Sequence, residues 1–138
     1  MEPYPLTFEP ILKEKVWGGR TLERFRKKLP PDVSIGESWE LADLPESIPD
    51  GKSVIANGTL AGQTLDCHFP LLIKFLDACD NLSVQVHPSP EYAANHPESH
   101  LKNEAWIILE TTPEGCIYVG LKEGTTEQML RASIENDT

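Results

Sequence analysis

The sequence predicts a mainly β fold with a few short helices, and two features of the chain support this prediction. Proline and glycine occur 12 and 9 times, so most of the segments between them are too short for long helices. Several of those segments have the length and the polar–apolar pattern of strands. Strands at regular spacing with turns between them favour a sandwich, a jelly roll or a barrel.

The amino-terminal half carries one predicted helix and three predicted strands. Leu22 and Phe25 fall at helical spacing within residues 21–28, and Pro30 and Pro31 follow, so we expect a short helix that ends before them. The first strand alternates polar and apolar residues, whereas the last is an almost continuous apolar run. The three strands are predicted over residues 36–41, 53–56 and 69–76.

The carboxy-terminal half is predicted to contain three more strands and two helices. The strands are predicted over residues 82–87, 103–110 and 116–121. A short helix is predicted over residues 91–95 and a longer one over residues 125–135, where Thr125 and Gln128 have the spacing of a capping box. A helix directly after two strong strands is an unusual end for a jelly roll, so we expect the jelly roll to be incomplete here.

Length and composition predict one soluble domain over residues 1–138. The chain is 39% hydrophobic and 25% charged, and no apolar run approaches the roughly 20 residues that a membrane span needs. No secretory signal is visible at the amino terminus, so we expect a cytoplasmic protein. Cys67, Cys79 and Cys116 are odd in number and form no C-x-x-C pair, which predicts ordinary reduced thiols.

The charge of the chain limits its partners. A formal net charge of -10 opposes nonspecific binding to nucleic acid and to anionic membranes, because the long-range field repels both. An anionic small molecule remains compatible with this charge. Such a ligand needs a local group of lysine or arginine side chains, so the positions of the few basic residues matter.

One predicted strand carries a candidate metal site. Side chains alternate between the two faces of a strand, so Ser83, Gln85 and His87 share one face. Gln85 offers an amide oxygen and His87 an imidazole nitrogen, and Glu104 on another predicted strand is the best candidate for a carboxylate. Three protein ligands are typical of catalytic zinc sites.

Other interpretations of these residues stay open at this point. A polar strand face that meets solvent explains Gln85 and His87 at least as well as a metal does. His96 and His100, four residues apart, are a competing ligand pair, but Pro97 lies between them in a polar stretch, so we interpret both as loop histidines.

Lys74 is unusual because it interrupts an apolar run, where an unpaired ammonium would be costly to bury. Its stem can extend to the surface, or its charge can pair with a buried acid. Alternatively, Lys74 faces a pocket and meets an anion or a substrate oxygen. Lys102 shares a strand face with Glu104 if that strand begins early enough.

Five motifs, taken together and in order, resemble the amino-terminal part of type I mannose-6-phosphate isomerases. They are VWGG at residues 16–19, GESWE at 36–40, FPLLIK at 69–74, LSVQVHP at 82–88 and KNEAW at 102–106. The resemblance spans nearly the whole chain, and the QVHP sequence is its most diagnostic part.

The resemblance implies a zinc-dependent aldose–ketose isomerase of the cupin, or jelly-roll, class that interconverts mannose 6-phosphate and fructose 6-phosphate. It implies that Gln85, His87 and Glu104 are ligands of one zinc ion. The reaction moves a proton between two sugar carbons, which requires a base and stabilisation of the oxyanion that develops.

The resemblance also implies a pocket for a sugar phosphate. The matching residues are Ser83, Lys74 and Lys102. Lys74 and Lys102 are the candidates for a catalytic role, and either lysine can hold a phosphate group despite the acidic surface. The sequence does not assign the base or the oligomeric state.

The chain departs from the family pattern after Glu104. Type I isomerases have a fourth zinc ligand, a histidine, and a catalytic arginine farther along, whereas residues 105–138 contain no histidine and only Arg131. His68, His96 and His100 all precede Glu104 and do not match the missing ligand. We expect a fragment of an isomerase; the alternative is a stand-alone cupin-like protein that keeps a metal and binds a sugar or sugar phosphate without isomerising it.

Overall fold

The computed structural model describes residues 4–65 and 67–136. The chain divides into two compact units, Met1–Gln85 and Val86–Thr138. Within the described residues, no helix has both the length and the apolar character to cross a membrane.

The amino-terminal unit is built on a three-stranded antiparallel sheet. Its strands are β1 (Ile11–Gly19), β2 (Ile35–Leu41) and β3 (Ile73–Leu76), with β2 in the centre. The strand predicted over residues 36–41 is therefore confirmed to within one residue. The strand predicted over residues 69–76 forms only in its last four residues, because pairing with β2 begins at Ile73 and the earlier Pro70 has no N–H to donate to a ladder.

The register of the sheet decides which side chains share a face. Lys13 pairs with Glu37 across β1 and β2, and Trp39 pairs with Lys74 across β2 and β3. Since Glu37 and Trp39 are two residues apart on β2, all four side chains lie on one face. Ser38 and Phe75 form a pair on the opposite face.

A bulge interrupts β1. Glu14 and Gly19 both pair with Ile35, so the intervening residues leave the ladder. At this point a Cβ added to Gly18 would lie 2.5 Å from the amide nitrogen of Gly36. Only glycine allows this approach, which explains the glycine at residue 18 in physical terms.

The helix predicted over residues 21–28 is confirmed in position but is shorter and of another type. It is a 3-10 helix over Thr21–Phe25, and it ends where Arg26 adopts the left-handed conformation with φ of 60°. Leu22 is buried in the core, and the ring of Phe25 stacks on Phe75 of β3 at a centroid distance of 5.4 Å. The helix therefore covers the face of the sheet opposite Trp39.

The strand predicted over residues 53–56 is replaced by single bridges. Ile55 bridges to Phe8, and Val54 bridges to Thr64. Ser53 is fully buried, and its hydroxyl oxygen accepts a hydrogen bond of 2.8 Å from the Ala42 amide. This segment therefore closes the core of the unit without joining the main sheet.

Three strand predictions are wrong as regular elements. Residues 82–87, 103–110 and 116–121 form no strand in the described residues. Their apolar side chains are largely exposed, as in Val84, Ile107 and Val119. A strand needs a hydrogen-bonded neighbour as well as a suitable pattern, and no ladder to these segments is present in residues 4–65 and 67–136.

Both helices predicted in the carboxy-terminal half are confirmed. The first, α1 (Pro90–Asn95), begins after Ser89, whose hydroxyl accepts from the Tyr92 amide at 3.2 Å. The second, α2 (Glu127–Asn136), begins one residue later than its predicted capping box requires. Thr126, rather than Thr125, accepts from the Met129 amide at 3.2 Å, so the cap is a single bond and not the predicted pair.

Candidate active site

A cluster of three charged or titratable side chains lies in the carboxy-terminal unit. Glu104 Oε2 lies 3.5 Å from His87 Nε2, and Glu104 Oε1 lies 3.2 Å from Lys102 Nζ. The carboxylate thus faces an imidazole with one oxygen and an ammonium with the other. The side chains of His87 and Glu104 are 34% and 23% exposed, so the cluster is accessible to a small ligand.

The geometry of His87 and Glu104 fits a zinc ion. Zinc bonds to histidine nitrogen and carboxylate oxygen are about 2.0–2.2 Å long, so two ligands of a tetrahedral ion lie about 3.4 Å apart. The observed separation of 3.5 Å agrees with that value. Both atoms can therefore reach one ion after little movement.

Gln85 and Ser83 lie in the amino-terminal unit, whose last residue is Gln85. The structure therefore brings two of the three predicted ligands together, and the part of Gln85 in the site stays a prediction. Within the described ranges, no three histidine, cysteine, aspartate or glutamate side chains form a metal-binding group. The predicted ligand set has only two side chains of those types, His87 and Glu104, because its third ligand is the Gln85 amide.

The competing histidine His96 has another role. It follows α1 directly, its Nδ1 lies 2.8 Å from the Tyr92 carbonyl oxygen, and its ring stacks on the Tyr92 ring at 3.7 Å. These contacts hold the imidazole against the end of its own helix. They support the interpretation of His96 as a structural residue.

Lys74 lies on β3 and pairs with a buried acid. Its Nζ donates to Glu37 Oε1 at 3.3 Å, and Glu37 is only 8% exposed. The second oxygen of Glu37 accepts a 2.6 Å bond from the indole nitrogen of Trp39. The ion pair explains how the sequence tolerates a lysine in an apolar run, which was one of the interpretations left open.

Glu37 is the charge partner of Lys74, and the sequence analysis did not identify it. The alternation of residues 36–41 predicted a half-buried strand and gave Glu37 no role. Two features of the sequence could have indicated this role. Glu37 and Trp39 fall on one face of a predicted strand, and Lys74 interrupts an apolar run and so needs a counter-charge. Those observations predict a charge partner only when the register of β2 and β3 is known.

The fold and the cluster define a class of protein: a mainly antiparallel β protein with a histidine–carboxylate–lysine group suited to a metal and to acid–base chemistry. Residues 6–114 match the family model described as phosphomannose isomerase type I, catalytic domain. The chain belongs to the type I phosphomannose isomerase family.

Curated relatives agree with this family. The mannose-6-phosphate isomerase ManA of Bacillus subtilis (strain 168) is 37% identical over 151 residues, which cover 98% of this chain and 46% of the relative. The probable mannose-6-phosphate isomerase GmuF of the same strain is 36% identical, with 91% and 44% covered. The chain thus spans about half the length of the curated relatives it matches.

A solved structure supports the fold. The crystal structure of the mannose 6-phosphate isomerase from Bacillus subtilis aligns with a TM-score of 0.56 at 34% identity, over 70% of this chain and 34% of that one. The predicted class, mainly β with an incomplete cupin-like jelly roll and short helices that include one near the carboxyl end, is confirmed.

Proposed function

We propose that this chain is the amino-terminal part of the catalytic domain of a zinc-dependent mannose-6-phosphate isomerase. The observation that carries the proposal is the His87–Glu104–Lys102 cluster, which lies inside the range matched by the family model. The names of the relatives add the substrate, mannose 6-phosphate. The single domain over residues 1–138 and the cytoplasmic location remain predictions.

The proposed zinc site uses His87, Glu104 and Gln85. The 3.5 Å spacing of His87 and Glu104 supports it, and Gln85 enters from the family resemblance. When bound, zinc would polarise the sugar oxygens that carry charge during the reaction. Residues 105–138 contain no histidine, so we propose that the fourth ligand comes from polypeptide beyond these 138 residues.

The residues of this chain have distinct proposed tasks. Glu104 accepts from Lys102, and this contact orients the carboxylate for a metal. Lys102 is proposed to hydrogen-bond a sugar oxygen beside the metal and to help move the proton between C1 and C2. Lys74 and Ser83 are proposed to bind the sugar phosphate.

The test uses the full-length protein that contains these residues. We expect one zinc ion per site by elemental analysis and fructose 6-phosphate formation from mannose 6-phosphate in a coupled assay. The triple variant Gln85→Ala, His87→Ala and Glu104→Ala should lose both, whereas His96→Ala should keep both because the His96 ring is held against Tyr92 of α1.

Two results would overturn parts of this proposal. Unchanged zinc content in the triple variant would place the metal elsewhere. Zinc and sugar phosphate binding without turnover by the full-length protein would favour the alternative, a cupin-like protein that binds sugar phosphate without isomerising it.

A further inference from the structure

The face of the sheet that carries Lys74 contains an ordered set of polar contacts. Glu37 Oε2 accepts from the Trp39 indole at 2.6 Å, and Glu37 Oε1 accepts from Lys74 at 3.3 Å. The Trp39 ring lies in turn under Lys13, whose Nζ is 4.5 Å from the ring centroid. Each oxygen of Glu37 therefore has its own donor, and the Trp39 bond fixes the carboxylate independently of Lys74.

Glu37 is more deeply buried than Lys74, which is the order expected if Lys74 is the residue that meets a ligand. Glu37 is buried, with 11% of its side chain exposed, whereas the Lys74 side chain is 21% exposed. The carboxylate thus forms the floor and the ammonium lies nearer the surface. An ammonium has three N–H donors, and Glu37 engages one of them.

We propose that Glu37, oriented by Trp39, is a positioning residue that holds the Lys74 ammonium in place for the sugar phosphate. This inference rests on the proposed function, because it requires Lys74 to bind the substrate. A lysine side chain has four rotatable carbon–carbon bonds and loses considerable entropy when a ligand fixes it. A buried carboxylate that fixes the ammonium beforehand removes part of that cost from binding.

A purely structural role is the competing explanation, since a part-buried lysine requires a counter-charge in any case. The two roles differ in one measurable respect. Positioning acts through Lys74, so the effect of changing Glu37 on substrate binding must disappear when Lys74 is absent. A purely structural role acts on stability: Glu37→Gln then lowers the free energy of unfolding while Lys74 is present, and it leaves KM unchanged.

The test is a double-mutant cycle in the full-length protein, with KM for mannose 6-phosphate as the readout. Glu37→Gln keeps an amide oxygen for Trp39 and removes the charge, and we expect it to raise KM about 10-fold with a much smaller change in kcat. In a Lys74→Met background, Glu37→Gln should raise KM no further. An equal rise in both backgrounds, or an unchanged KM in the first, would overturn the inference.

Glu40→Gln is the matched control. Glu40 lies on the same strand, pairs with Lys27 and accepts a 2.6 Å bond from Ser38, but it does not contact Lys74. This change alters charge equally and should leave KM unchanged. A rise in KM equal to that of Glu37→Gln would show that any lost charge on β2 suffices and would contradict the proposal.

A second variant covers the case in which Glu37→Gln does not fold. Trp39→Phe keeps the Glu37 charge and removes only the indole N–H, so it should raise KM in the same direction by a smaller factor, and only when Lys74 is present. Absence of turnover in the unmodified protein would instead contradict the proposed function, whatever the variants do. The two failures are therefore distinguishable.

Discussion

Gly18 and Gly36 meet backbone against backbone: a Cβ on Gly18 would lie 2.5 Å from the Gly36 nitrogen and 2.6 Å from the Ile35 carbonyl carbon. The Trp17 carbonyl, one residue earlier, accepts a 2.9 Å bond from the Cys79 amide. The bulged part of β1 is thus held on two sides by backbone, which cannot rotate away as a side chain can.

Replacing Gly18 with alanine should therefore destabilise the protein strongly. We expect a loss of about 1–3 kcal/mol in the free energy of unfolding, measured by chemical denaturation, because the added methyl group must displace a paired strand. Gly115→Ala is the control, since its closest contact is the rotatable hydroxyl of Thr111 at 2.2 Å. Equal losses in the two variants would contradict this account.

Ser53 provides a test of a buried polar contact. Its hydroxyl oxygen is the acceptor for the Ala42 amide at 2.8 Å, and both residues are fully buried. Ser53→Ala leaves that acceptor position empty and should cost about 1–3 kcal/mol of unfolding free energy in denaturant titrations. The exposed Ser34, changed to alanine, should cost much less; a similar cost would show that the buried bond has no special weight.

Lys102 should affect turnover more than metal binding. Its ammonium is 3.2 Å from Glu104 Oε1, while Glu104 Oε2 is the atom that faces His87. We expect Lys102→Met in the full-length protein to lower kcat/KM about 100-fold in the coupled assay and to keep most of the zinc. Complete loss of zinc in this variant would show instead that Lys102 is needed mainly to hold the ligand.

Cys79 should react slowly with alkylating reagents near neutral pH. Cys79 is an exposed residue, but partial desolvation of its thiol, followed by the charge and hydrogen bond of Asp77, raises its pKa above the ordinary value, so less of the reactive thiolate is present at a given pH. The curve of alkylation rate against pH should therefore lie at higher pH than that of a free thiol. Mass spectrometry of iodoacetamide-treated protein measures this rate.

Asp77→Asn isolates the contribution of the neighbouring charge to the same thiol. The change should lower the Cys79 pKa and speed alkylation at pH values below it, because the asparagine oxygen can still accept from the Thr21 amide, as Asp77 does at 2.6 Å. Cys116 in the other unit serves as the internal reference. No change in Cys79 relative to Cys116 would show that the Asp77 charge contributes little to the pKa of this thiol.

Local patterns were sufficient to predict some elements and insufficient for others. The spacing of apolar residues and the Thr125–Gln128 capping signal placed α2 to within two residues, because helix signals lie within a few neighbouring residues. The apolar runs at residues 103–110 and 116–121 have strand-like patterns, but a pattern does not supply a partner. The ladder of a strand depends on residues distant in sequence, and the prediction failed where that partner was missing from the described chain.

The candidate site shows the same division between local and distant information. His87 and Glu104 were nominated from strand alternation and family motifs, and the structure brings them to 3.5 Å. Glu37 was missed because its contact with Lys74 joins residues 37 positions apart on two strands. The sequence alone indicated that Lys74 needs a counter-charge or a ligand. The register of β2 and β3 identifies Glu37 as the counter-charge.

The bulge in β1 has a further consequence for the behaviour of the sheet in a crowded solution. In the three-stranded order the outer strands are β1, whose ladder is broken between Glu14 and Gly19, and β3, which is four residues long. Long, flat outer strands invite pairing with other molecules, and short or interrupted ones discourage it. Among the described residues, the sheet therefore has two outer strands that are poorly suited to pairing with a second molecule.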